Sequence, residues 1–250
     1  MKYNVLTSFN QHYWEEVGYQ TIKKLDENWH NSGTIYLYHE LNQSFVNSIK
    51  NEFSSRVEWY SLYDEVPYLS EFIETYKNHP KANGDAGGWR QHAIKWVHKT
   101  FPLLQHAKTH SNGWLCWLDV DAECFKKIDD TYIKTICKPE KMLGYLGRKG
   151  NYSECGFLSF NLEHPQIKSF LDKWWDIYPS GYFTKISETH DSFLFDAVRK
   201  EFGYPEIFDD LNINSNTNKN PFGNSVLGSH FIHAKGQHKS ATLQKMSRRA

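Results

Sequence analysis

The sequence predicts an α/β protein: one domain with a mixed, mostly parallel central sheet flanked by helices. Short runs rich in β-branched and aromatic residues alternate with segments of helical period through the first half of the chain. Strands that alternate with helices lie parallel and are covered on both faces. The length of 250 residues supplies a substantial core for such a layered fold.

Val5 to Phe9 reads as the first strand, and after the turn-like Asn10-Gln11 the residues Trp14, Val17, Gly18, Thr21, Ile22, Leu25 and Trp29 recur at helical spacing. Thr34 to Tyr38 forms a second strand, and the helical pattern through Phe45 and Ile49 leads to a third at Val57 to Leu62. His79 to Gly88 (HPKANGDAGG) reads as loop, because Pro, Asn-Gly and Gly-Gly propagate neither helix nor ladder. The following helix carries Trp89, Ala93, Trp96, Val97, Thr100 and Leu104 on one face, with Arg90 and Lys99 off that stripe and Pro102 expected to kink or shorten its end. Trp114 to Leu118 is the fourth strand, and further strands fit Met142 to Leu146, Gly156 to Phe160 and Phe231 to Ala234. A helix begun by Pro165 presents Ile167, Phe170, Leu171, Trp174 and Tyr178, and a shorter one runs from Asp191 to Phe202. Asn212 to Gly228 is polar and Asn-rich, hence loop, and loops of that length in a compact domain tend to be functional.

Lysine plus arginine equals aspartate plus glutamate at 29 each, so no global field draws the chain to a polyanion or an anionic membrane. Nine Trp, fifteen Tyr and sixteen Phe supply a packed core and flat platforms for a base or a sugar face. Cys116, Cys124, Cys137 and Cys155 show no CxxC pairing and read as free thiols of a reducing compartment. Neither a signal-peptide core nor a run of eighteen apolar residues occurs, so a soluble, cytoplasmic protein is expected.

The chemistry gathers at WLDVD. The apolar strand Trp114 to Leu118 runs into Asp119 and Asp121, and residues two apart on an extended segment point the same way. Two carboxylates so placed want a cation, and the carboxyl ends of strands are where open α/β sheets bind ligands. A second motif, HFIHAKGQHK from His230 to Lys239, offers an imidazole, a glycine that admits close backbone approach and a cation on a long stem. If Phe231 to Ala234 is extended, His230 and His233 face opposite ways, and His233 is the expected ligand beside the two aspartates.

WLDVD together with His233-x-x-Gly236-x-x-Lys239 resembles the GT-A nucleotide-sugar glycosyltransferases, in particular the glycogenin-like and bacterial galactosyltransferase-like branch. The resemblance implies a single Rossmann-like domain over residues 1–250, with a nucleotide-binding half to about residue 121, an acceptor-side half over about 122–240 and a basic tail at 241–250. It implies Mn²⁺ (or Mg²⁺) on Asp119, Asp121 and His233, with Gly236 and Lys239 closing over the donor diphosphate. Weaker matches put Arg90 toward the nucleotide sugar, Glu154 in the place of an Asn in an Asn-x-Gly strand, and His190-Asp191 in the place of an Asp-Gln pair. Glu154, His190 and Asp191 are therefore the expected catalytic-side residues. Thr7, Ser8, Asn10 and Tyr13 would border the base, although Asn10 equally suits the cap of the helix after it.

The function implied is metal-dependent transfer of a hexose from a nucleoside diphosphate sugar, UDP-sugar favoured, to a hydroxyl of a glycan or glycoconjugate. A hydroxylated nucleobase in DNA is an alternative acceptor, mildly disfavoured by the neutral composition. A metal-dependent phosphohydrolase is the rival activity, since it too wants clustered acids and histidines at strand ends.

Overall fold

The computed structural model describes residues 1–203, 205–212 and 220–234. Seven strands form the central sheet: β1 (Tyr3–Phe9), β2 (Ile35–His39), β3 (Val57–Ser61), β4 (Trp114–Leu118), β6 (Leu143–Leu146), β7 (Glu154–Asn161) and β8 (Phe208–Asp210), in the order β3-β2-β1-β4-β7-β6-β8. β1 runs parallel to β2 and β4, and β2 to β3, whereas β7 runs antiparallel to both β4 and β6. The sheet is thus mixed and mostly parallel. β5 (Ala122–Cys124) and β9 (Phe231–His233) pair with each other as a separate antiparallel ribbon, outside the central sheet.

Strand alternation divides the core. Trp114, Cys116 and Leu118 of β4 pack on one face of the sheet with Ile22, Leu25 and Trp29 of the first long helical segment. Leu115 and Trp117 pack on the other with Val97, Phe101 and Leu104 from the Ala93–Thr109 helix and with Phe170 and Trp174 from the Ile167–Asp176 helix. Every residue of both predicted stripes, Trp14 to Trp29 and Ile167 to Tyr178, is buried. Each such Leu, Ile or Phe side chain contributes about 1.5–3 kcal/mol of transfer free energy.

Three local expectations need correction. Pro80 starts a one-turn helix, Pro80–Asn83, within the predicted loop, and Gly84 ends it at φ 92°. Trp89 and Arg90 lie in a separate short turn, Gly88–Gln91, because His92 at φ −128° and ψ 66° leaves the helical region before Ala93. Pro102 does not end its helix, which continues to Thr109. Proline has no N–H for the carbonyl four residues back, that of His98, and the Ser8 hydroxyl donates to this carbonyl at 2.8 Å instead. A side chain from β1 thereby completes a helix on its neighbour.

The four thiols are buried and free, with the Cys116 and Cys137 sulfurs 3.7 Å apart. Among the described residues no helix is long and apolar enough to cross a membrane.

Candidate active site

Asp119 and Asp121 stand in the turn between β4 and β5, where the Ala122 N–H donates to the Asp119 carbonyl at 2.9 Å. Their convergence comes from this turn and not from alternation along a strand. The Gly156 carbonyl of β7 accepts the Asp119 N–H, and the Asp121 carbonyl accepts the Ala234 N–H. The β5–β9 ribbon sets Ala122 opposite His233, which carries the imidazole from the far end of the chain to the acids. His233 Nε2 lies 3.1 Å from Asp121 Oδ1, and one ligand atom from each of Asp119, Asp121 and His233 falls within 4.8 Å of the others.

These residues fit a divalent cation. Two carboxylates and an imidazole form a hard-to-borderline donor set suited to Mn²⁺ or Mg²⁺. His233 Nδ1 is buried without a hydrogen-bond partner among the described residues. Burial, only partly opposed by Lys99, and the adjacent Asp121 hold the Asp119 carboxyl above its usual range, a strain that a cation would relieve. Gly156 makes room for the group: a Cβ there would sit 2.8 Å from His233 Cε1 and 3.2 Å from Asp119 Oδ2.

One cation is already built in. Lys99 Nζ meets Asp119 Oδ1 at 2.9 Å, Asp191 Oδ2 at 2.8 Å and the Cys155 carbonyl at 2.5 Å, so its three donors each have an acceptor. It also lies 5.0 Å from the Trp117 ring. Burial alone would lower the ammonium's pKa, but Asp119 and then Asp191 raise it far above the usual lysine range. Burial likewise opposes ionisation of Asp191, yet the Lys99 charge and hydrogen bond, His190 and the Ser192 N–H hold its carboxyl below the ordinary value.

Two cavities meet at the acids. One, of about 410 Å³, is walled by Ser8 and Phe9 at the end of β1, by Asn10 and Tyr13 just beyond it, and by Trp96, Lys99, Asp119 and Asp121. The other, of about 450 Å³, holds Glu154, His190, Asp191, Arg90 and His233, and shares Trp96 and Asp119 with the first. A bipartite substrate with its charged centre at the triad would occupy both.

The chain matches no protein-family model and no curated protein by sequence. By structure it is similar to the galactosyltransferase LgtC in complex with donor and acceptor sugar analogs, with TM-score 0.60 and 8% identity over 98% of this chain and 95% of that one. It is similar to mouse xyloside xylosyltransferase 1, with TM-score 0.53 and 14% identity over 85% of this chain and 86% of that one. A glycosyltransferase involved in glycosylation of the major capsid of PBCV-1 aligns over 100% of both chains at TM-score 0.50 and 12% identity. The chain has a GT-A glycosyltransferase fold.

On this GT-A framework the predicted residues separate. Ser8, Asn10 and Tyr13 line the first cavity, and Asn10 is also the helix cap, its Oδ1 accepting the Tyr13 N–H at 3.0 Å. Thr7 does not line it: alternation along β1 turns its side chain under the sheet toward Thr21 and Leu118, where its hydroxyl is buried. His190 caps the Asp191–Phe202 helix, Nδ1 accepting the Phe193 N–H at 3.3 Å, which leaves Nε2 to donate to Glu188 at 2.7 Å. Its ring still forms a wall of the second cavity. Glu154 is buried, with Arg148 Nη1 3.8 Å from its Oε2. Arg90 is corrected from a helical to a turn residue: its side chain is 57% exposed, and Lys99 takes the central place among the acids. Gly236, Lys239 and the tail at 241–250 lie outside the described residues.

Sequence reasoning also missed Glu188, which gathers His190, Tyr152 and Arg90 around one carboxylate. Its only sequence signal is its place three residues before the predicted helix start at Asp191.

Proposed function

We propose that this chain is a glycosyltransferase that moves a hexose from a nucleoside diphosphate sugar, a UDP-sugar favoured, to a hydroxyl of a glycan or glycoconjugate. The convergence of Asp119, Asp121 and His233 between two cavities of a GT-A fold carries the reading. These three residues would hold Mn²⁺ or Mg²⁺, which when bound supplies positive charge to the diphosphate leaving group. Ser8, Asn10 and Tyr13 take the base and ribose in the first cavity, and Gly236 and Lys239 take the diphosphate oxygens. Four free, buried thiols suit a cytoplasmic setting.

The transferred sugar sits in the second cavity. Asp191, kept ionised by Lys99, stabilises the positive charge of the oxocarbenium-like centre and orients the sugar hydroxyls. Lys99 is a positioning residue in this scheme, since all its donors are already occupied by the protein. Glu154, which lines this cavity, would act as the base on the acceptor hydroxyl in an inverting reaction and would orient the sugar in a retaining one. The anomeric coupling in the product's proton NMR spectrum separates the two.

The test is thermal stabilisation by UDP with Mn²⁺ or with EDTA, alongside UDP release from UDP-hexoses. Stabilisation is expected only with the metal, and Asp121→Asn is expected to abolish it and to cut turnover by about 10²-fold or more. Near-wild-type turnover by Asp121→Asn in excess chelator would overturn the metal-dependent reading.

A further inference from the structure

We propose that the acceptor is an acidic sugar, its ring on an aromatic wall of the transfer cavity and its anionic group in a basic groove that opens from that cavity. The proposal rests on the glycosyltransferase reading and names the acceptor class for the same site.

The cavity that holds Glu154 and Asp191 does not end at them. Arg90, Arg148, Asn151 and Tyr152 line both it and a neighbouring groove of about 780 Å³. Five of the groove's lining side chains are Lys or Arg and three are Asp or Glu, a surplus of two positive charges in a chain whose total is zero. The acids there already serve the protein. Asp196 accepts from the Ser153 N–H and hydroxyl at 2.8 and 2.7 Å and from Arg199 at 3.0 Å, and Asp210 accepts from the Gly147 and Asn212 N–H groups, both at 2.9 Å. Glu188 likewise accepts from Arg90, His190 and Tyr152, so the acids fix loops and aim cations while the lining as a whole keeps its two extra positive charges.

The cations are held at defined places. Arg199 is fixed by Asp196 and lies 4.4 Å from the Tyr145 ring, while the Arg148 Nε donates to the Tyr152 carbonyl at 2.5 Å. Guanidinium groups anchored in this way lose little further freedom when an anion binds.

The aromatic wall is the second, independent observation. Trp89 is 54% exposed, an unusual position for the largest apolar side chain, and it borders the transfer cavity. The His190 ring, its side chain 3% exposed, lies 5.2 Å from Trp89 and 5.2 Å from Tyr152, so a buried imidazole backs the two outer rings of this wall next to Asp191. The exposed Trp89 ring is the surface that takes the C–H face of a pyranose, and Tyr152 at the other end of the wall also lines the basic groove.

Calorimetric titration of the full chain, saturated with UDP and Mn²⁺ to cover the donor site, tests this with three probes: glucose, glucuronate and glucose 6-phosphate. At least one anionic sugar is expected to bind about tenfold tighter than glucose, and which one does tells carboxylate from phosphate. The exposed pair change Lys149→Gln with Lys200→Gln should erase most of that preference while leaving glucose binding and UDP-hexose hydrolysis unchanged. Trp89→Ala should weaken all three sugars alike. Equal binding of the three probes, or binding of none, overturns the proposal. In either case, retained Mn²⁺-dependent stabilisation by UDP leaves the donor reading standing, and its loss would be a failure of that reading.

Discussion

The Ala93–Thr109 helix carries two inward-facing titratable side chains, Lys99 and His106, roughly two turns apart on one face, and they are kept in opposite states. Lys99 lies among Asp119 and Asp191 and is held charged. His106 lies among Tyr36, Tyr38 and His110, accepts or donates one hydrogen bond to the Tyr38 hydroxyl at 3.0 Å and stacks on His110 at 3.8 Å. Burial, and secondarily His110, push its pKa down to about 3, so it is neutral. Burial disfavours the charged form of both groups, and only the counter-charges beside Lys99 overcome it. The charged partner sits where β4 ends and the cavities open, whereas the neutral one sits farther along the helix in packed core.

The sharpest way to break this contrast is Lys99→Met. It strands Asp191, with its side chain 6% exposed, and removes a hydrogen bond from Asp119, so a loss of about 3–5 kcal/mol is expected in urea unfolding. Lys99→Met combined with Asp191→Leu should recover much of that stability but not the proposed transferase activity. An unchanged urea midpoint in the single variant would show that the ammonium does not carry the cluster.

A pH titration sharpens the other half. Unfolded histidine takes up a proton below about pH 6.5, but folded His106 does not until about pH 3. The unfolded chain therefore binds more protons within this window, and stability is present above it and falls as pH drops through it, by up to about 1.4 kcal/mol per pH unit from this group. His106→Gln, which can still accept from Tyr38, should flatten that slope. A slope equal to wild type between pH 6 and 4 would put the titration elsewhere.

The smallest effect belongs to a pair with no buried partner. Lys24 and Glu27 meet at 2.8 Å with side chains 42% and 58% exposed, and Lys24→Ala should cost under about 1 kcal/mol by thermal melting.

Particular residues show what was legible. Asp119 and Asp121 stood out because five consecutive apolar residues lead to them, and His233 because Gly236 and Lys239 follow it. Lys99 stayed hidden, since a lysine beside the apolar stripe of an amphipathic helix has the pattern of a solvated one. Arg90 drew attention as an arginine near the expected place, but the backbone at His92 sets it in a separate turn. β5 and β8, three residues each and both containing acids, are too short to show a period.

By itself the sequence determined the alternation of strands and helices, the buried faces of the helices and the presence of two acids after β4, because period and polarity act over a few residues and need no distant partner. Only the tertiary structure decided that β7 runs against its neighbours, that β5 and β9 form a ribbon carrying His233 to the acids, and that Lys99 and not Arg90 stands among them. Those outcomes depend on which surfaces exclude water together and where a buried charge finds its counter-charge, and both are set by residues far apart in the chain.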